Sequence, residues 1–355
     1  MNVKFLKTWL LALSGAALLF TSCEKTTDEP DITANNLKGM FVVCEGGFGK
    51  ANGDVTFYNT SSKETVKSLF SSANGVPVGD IVQSFEVVDT LGFIVVNNSQ
   101  KVTIVNMKDF KVVKTIDGFS YPRSVVRANK NTVYVSNGNG YASNYIYSID
   151  LKTLTKSDSL AVTTGPEKLI EANSKVYAAI GGGWNNDGNS VIEIDPTSFS
   201  IANTFAVASV PIDIAADKNN NIWAYCKGVA SYDANWNATY SNSGISKINV
   251  ATKAVETFAL TTMSASGVNN IAASKDGSVI YFLNDGLYAI PIANTTLPTS
   301  KLVDQLFYGV AVDPETGNII CLDYANSKAI AYNSNGAEQF SFETATFPGS
   351  VVFSY

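Results

Sequence analysis

The 355-residue sequence contains no histidine. That removes the Ser-His and Cys-His dyads of nucleophilic catalysis, together with the commonest protein ligand for zinc, copper and iron. Cysteine is scarce. Beyond Cys23, only Cys44, Cys226 and Cys321 occur, each at the end of an apolar run (MFVVC, IWAYC, NIIC), so they read as buried thiols and not as a disulfide framework. No convincing amphipathic helix is present. GxSxG is missing too, and GGFGKANGD (46–54) lacks both the GK[ST] ending and the following helix of a P-loop. The longest apolar run, from Trp9 to Phe20, is too short to span a bilayer.

What is present at the start reads as a secretory signal: Lys4 and Lys7, the apolar run, small residues, then Cys23. The ending LFTSC resembles a bacterial lipobox, which makes residues 1–22 a lipoprotein signal peptide and Cys23 the acylated N-terminus. An ordinary signal peptide with a chance cysteine is the alternative. Residues 23–38, with EKTTDEPDITANN, are polar and acidic and read as a flexible tether. Loss of residues 1–22 takes two lysines and no acid, leaving 23 basic against 31 acidic residues, a net charge of −8. That balance argues against nucleic acid and against a basic lipid-binding face.

The rest is built from short β-branched and aromatic runs separated by Gly, Asn, Asp and Pro, an all-β pattern. It repeats. Units begin near Ser84, Ser124, Lys168, Ile212, Val268, Tyr308 and Ser350, in steps of 40, 44, 44, 56, 40 and 42 residues. Each has the four strands of a propeller blade. The last unit holds only SVVFSY, and MFVVCE (40–45), DVTFYN (54–59) and TVKSLF (65–70) supply the other three strands. The expectation is a seven-bladed β-propeller over residues 39–355, its ring closed by the C-terminal strand joining the N-terminal blade. VYVSN (133–137) and FIVVN (93–97) resemble the YVTN-type repeat of bacterial propellers.

Loops between second and third strands share one face with the blade-to-blade connections. The long ones are 45–54, 137–144, 181–189 and 227–244. They and the connections place Phe48, Tyr121, Tyr141, Trp184, Tyr232, Trp236 and Tyr240 on that face, among the amides Asn98, Asn139, Asn185, Asn186 and Asn237, with Arg123 and Lys168 nearby. Any one of these aromatics is equally read as packing on its own blade. As a set they read as a binding platform for a large, uncharged ligand rich in amides or hydroxyls, because aromatics give contact area with few rotors and amides give uncharged donors and acceptors. DANWN (233–237) has the alternate spacing of a calcium loop, but Gly244 stands where the twelfth-position glutamate belongs. Glu45, Asp54, Asp80, Glu167 and Asp187 are acids that this face can gather. No metal or cofactor is assigned.

Several blocks together, FVVCEGGFGKANGDVTFYN, VPVGDIVQSFEVV, FIVVNNSQKVTIVN and FSYPRSVV, behind a lipobox and acidic tether, resemble the BtuG-type surface propeller lipoproteins of Bacteroidetes. The resemblance implies a non-catalytic protein, lipid-anchored in the outer membrane and facing the exterior. It implies capture of cobamides (vitamin B12 and analogues) and their delivery to a BtuB-like TonB-dependent transporter. Two further readings stay open: a glycan- or other ligand-binding surface propeller, and a calcium-dependent lactonase-type enzyme.

Overall fold

The computed structural model describes residues 37–141, 143–260 and 270–355. The expected signal peptide, Cys23 and the tether up to residue 36 lie outside the described residues.

Seven antiparallel sheets form a ring, as expected. Blade 1 is made of Pro348–Ser354, Gly39–Cys44, Asp54–Asn59 and the short Thr65–Val66. Blades 2, 3 and 4 begin at the inner strands Val82–Val88, Pro122–Arg127 and Pro166–Ala172, and blades 5, 6 and 7 at Pro211–Ala216, Ile271–Ala273 and Gly309–Val312. Each inner strand lies against the next, and that of blade 1 returns to Val82–Val88, so the circle is complete. Closure is non-covalent. Pro348–Ser354 pairs with Gly39–Cys44 in a register of Gly39 with Ser354, Phe41 with Val352 and Val43 with Ser350.

The sequence pattern follows from this ring. A blade is covered on both faces, so its central strands are buried almost end to end, as in LGFIVV and TVYVSN. Alternate side chains serve the two neighbours. In Gly39–Cys44, Phe41 and Val43 pack toward blade 2, whereas Met40, Val42 and Cys44 pack toward blade 7. Seven hydrophobic clusters result, one at each seam. Each buried Val, Leu, Ile or Phe contributes roughly 1.5–3 kcal/mol, so the seams hold the ring together.

Three elements depart from the expected pattern. TVKSLF does not continue as a strand. Thr65–Val66 is followed by the helix Leu69–Asn74, because the Asp54 carboxylate accepts the backbone N–H groups of Phe70 (2.9 Å) and Ser71 (3.1 Å) and Leu69, Phe70 and Ala73 bury into the seam with blade 2. Segment 227–244 is not an open loop, since Val229–Tyr232 and Ala238–Ser241 pair as a separate hairpin. Blade 6 has three strands among the described residues, and Val303 makes a single bridge to Leu287 where a fourth would lie. The expected unit start at Val268 falls outside the described residues.

Candidate functional site at the mouth of the ring

One junction recurs around the mouth. Ile81, Tyr121, Val210 and Phe347, each just before an inner strand, have φ of 57°, 63°, 58° and 60°. A left-handed backbone costs a non-glycine residue about 1–2 kcal/mol. It is held by a repeated hydrogen bond: the carbonyls of these residues accept the N–H of Asn97 (2.7 Å), Gly138 (3.3 Å), Lys227 (3.0 Å) and Glu45 (2.8 Å), the residues that leave the second strands. In blade 4, Gly165 fills the position and accepts from Gly182 at 2.9 Å. These ties bring the second-to-third loops and the blade connections to one end of the ring, where the sequence had placed them.

Between blades 3 and 4 the loops bind each other. Trp184 N–H donates to the Asn139 carbonyl at 2.8 Å, and Asn185 Nδ2 to the Gly140 carbonyl at 2.9 Å. Gly140 is required there, since a Cβ on it would lie 2.1 Å from the Gly182 carbonyl oxygen. The Trp184 ring meets Tyr121 edge-on, centroids 4.6 Å apart, and remains 53 % exposed; Tyr141 beside it is 70 % exposed. Asn139 Oδ1 is used within the loop, accepting Tyr141 N–H at 3.1 Å. Asn186 donates to the Trp184 carbonyl at 2.9 Å, but its Oδ1 is buried without a donor.

The blade 5 hairpin carries a second exposed pair, Tyr232 and Trp236, centroids 6.0 Å apart. Its tip is organised by Asp233, whose carboxylate accepts the N–H of Asn235 (2.8 Å) and Asn237 (2.9 Å) and the Asn237 side-chain amide (2.8 Å). The side chain of Asn237 holds the Asp233 carboxyl below its usual range, with the backbone amides adding to it. The calcium-like spacing of DANWN is therefore that of a self-capped turn. Tyr240 lies in Ala238–Ser241, and its side chain is outside the described residues.

Phe48 is highly exposed on loop 45–54. That loop is tied to blade 2 through Asp80, which accepts Gly49 N–H at 2.9 Å and the Asn98 amide at 2.5 Å. Asn98 thus supports the loop on which Phe48 stands. The remaining acids also have local work, Asp187 accepting the Thr164 hydroxyl at 2.6 Å and Asp54 capping the helix.

Below the rim is a polar throat. Arg123 Nε lies 3.2 Å from Glu167 Oε2, a contact too poorly aligned to count as a hydrogen bond, and Glu167 Oε1 accepts Gly183 N–H at 3.1 Å. Glu45 accepts from Gln83 Nε2 and from the Tyr308 hydroxyl, both at 3.3 Å. Burial pushes Glu45 up to about 7, against the lowering effects of the Tyr308 hydrogen bond and the Arg123 charge. Burial likewise lowers Lys227. Lys168 is not on the rim. A bulge between Pro166 and Leu169 turns it into the channel, where it lines a cavity of about 880 Å³ with Ser84, Glu86, Ser124 and Ser350. Asn129, Lys130, Pro196 and Thr197 also line that cavity, so it opens toward the opposite end.

One aromatic group escaped the sequence reading. Tyr308, Tyr324 and Phe347 meet between blades 7 and 1 with centroids 5.4 to 5.7 Å apart. Loop 324–328 is short and gave no signal by length. The three cysteines are buried and free, as expected, and burial raises Cys44 and Cys226 to about 12, which makes them inert thiols. No group of three or more potential metal-ligating side chains occurs among the described residues.

Solved structures similar to this chain are propellers of diverse description. A quinonprotein alcohol dehydrogenase-like protein from Bacteroides thetaiotaomicron shares 15% identity over 90% of this chain and 79% of its own, with a TM-score of 0.65. A functionally unknown protein from Desulfotomaculum acetoxidans shares 10% over 89% and 98%, also at 0.65. Virginiamycin B lyase from Staphylococcus aureus shares 14% over 74% and 84%, at 0.56. At such identities the likeness is one of fold. No curated protein matches the chain. A family model matches residues 38–349, nearly the whole ring, and the chain belongs to the family described as Domain of unknown function (DUF5074).

Proposed function

We propose that this propeller is a non-catalytic surface lipoprotein. It captures a cobamide at the mouth of the ring and passes it to a TonB-dependent outer-membrane transporter. The observation that carries the reading is the Tyr121–Trp184 pad, in which loop 181–189, bonded to loop 137–144, sets an exposed indole against the Tyr121 ring. A corrinoid presents a broad apolar plane fringed by amides. Exposed aromatics such as Trp184 and Tyr141 suit the plane. With no histidine in the chain, the cobalt's lower ligand is not exchanged for a protein imidazole, and recognition uses the periphery. Anchorage through Cys23, an outward-facing position and the transporter partner belong to the same proposal and rest on the sequence resemblance.

The test is calorimetric titration of a soluble chain beginning at Glu24 with cobalamin. Tight one-to-one binding is expected, and the protein turns pink. Binding to a polysaccharide and to no cobamide would replace the reading with the glycan-binding one. Turnover of a lactone that is abolished by a chelator would replace it with the metal-dependent enzyme.

A further inference from the structure

The mouth holds a second aromatic group built like the first. Tyr121 and Phe347 occupy the same place in their blades: each is left-handed, precedes the proline that opens an inner strand, and gives its carbonyl to the residue leaving the second strand. Ile81 and Val210 share that backbone, so the conformation alone belongs to the scaffold. What separates Tyr121 and Phe347 is their rings and what other blades add to them. Tyr121 is joined by Trp184 from blade 4. Phe347 is joined by Tyr308 and Tyr324 of blade 7, at 5.6 Å and 5.4 Å. The Tyr308 hydroxyl is directed to Glu45 in the throat, which fixes its ring, while Tyr324 and Phe347 stay 37 % and 36 % exposed. Core aromatics at the seams, such as Phe41 and Trp223, are fully buried, so this partial exposure at a fixed site is what a ligand platform requires.

The two groups are three blades apart on a ring of seven, on nearly opposite sides of the mouth. Gln83, Glu45, Arg123 and Glu167 lie in the throat beneath them. We infer that Tyr308, Tyr324 and Phe347 form a second aromatic subsite, so that the ligand spans the mouth as a plate resting on both pads. This deepens the proposed function and rests on it: a wide, flat, amide-fringed ligand can contact both pads at once.

The experiment compares the soluble chain with Tyr324→Ala, Phe347→Asn and Trp184→Ala by calorimetry against cobalamin. Asparagine tolerates the left-handed backbone at position 347, and Tyr324→Ala removes a partly exposed ring from a short loop, so one variant stays informative if the other unfolds. Each substitution on the second pad is expected to weaken binding about fivefold, the loss of one aromatic contact, with the melting temperature unchanged. Loss on Trp184→Ala with unaltered affinity in both second-pad variants would overturn the subsite and leave cobamide capture standing. Failure of the unaltered chain to bind any cobamide would overturn both.

Discussion

The paired loops of blades 3 and 4 and the hairpin of blade 5 both carry exposed aromatics, but they are held differently. Loops 137–144 and 181–189 are bonded to each other through backbone and asparagine groups, and Trp184 leans on Tyr121 at the ring itself. The hairpin is organised internally by Asp233 and attached at its base by the Gly228–Ser209 and Asn242–Ser209 hydrogen bonds. The first is a platform fixed before any ligand arrives. The second is an arm whose two strands stabilise each other, with its tip aromatics standing clear of the ring. Preorganised contact surface returns more affinity per side chain, because less ordering is required on binding.

The largest effect comes from removing what the two regions share. Deleting residues 348–355 takes away the inner strand of blade 1 and opens the circle at Gly39–Cys44. Loss of a cooperative melting transition by circular dichroism is the expected result, with loops of both kinds disordered together. Next, Trp184→Ala should weaken cobalamin binding by about tenfold or more, as for a fixed aromatic anchor, and Trp236→Ala by about threefold. Equal losses would erase the distinction between platform and arm. Replacing segment 230–240 with a two-residue turn should then leave the melting temperature within about 2 °C and act mainly on the dissociation rate, read by stopped-flow quenching.

The smallest effect concerns the throat. The folded-state pKa of Glu45 is raised to about 7, so its protonated form is favoured by the fold. The stability it contributes is full below its unfolded value and is lost as pH rises through about 7. Melting temperature should fall by a few degrees between pH 5 and pH 8, and Glu45→Gln should flatten that slope. An unchanged slope in the variant would assign the effect to Glu86 or Asp213, which burial also raises, to about 7 and about 6. Glu86 lines the open cavity, where water reaches it, and three backbone N–H groups favour the charged form of Asp213, so Glu45 is the stronger source.

The ring was legible because its determinants are local and repeated. Runs such as FIVV and VYVS are apolar on both strand faces, and a lone SVVFSY demands partners from the other terminus. Loop length then pointed to Trp184 and Trp236. What stayed hidden depends on distant partners. The helix at Leu69 is capped by Asp54, in a different strand of the same blade. Lys168 reads as a rim residue until a bulge turns it into the channel. Tyr308 and Phe347 flank strands in ordinary positions, and Phe347 joins Tyr308 and Tyr324 only because blades 7 and 1 meet.

Amide hydrogen exchange with and without cobalamin shows which end of the ring takes the ligand, since it reads every loop at once. Slowed exchange is expected at one end of the ring, in segments 45–54, 118–123, 137–144, 181–189 and 346–349. Weaker protection is expected in the hairpin. Protection at the turns of the other end, around Asn129 and Thr197 where the channel cavity opens, would contradict capture at the mouth.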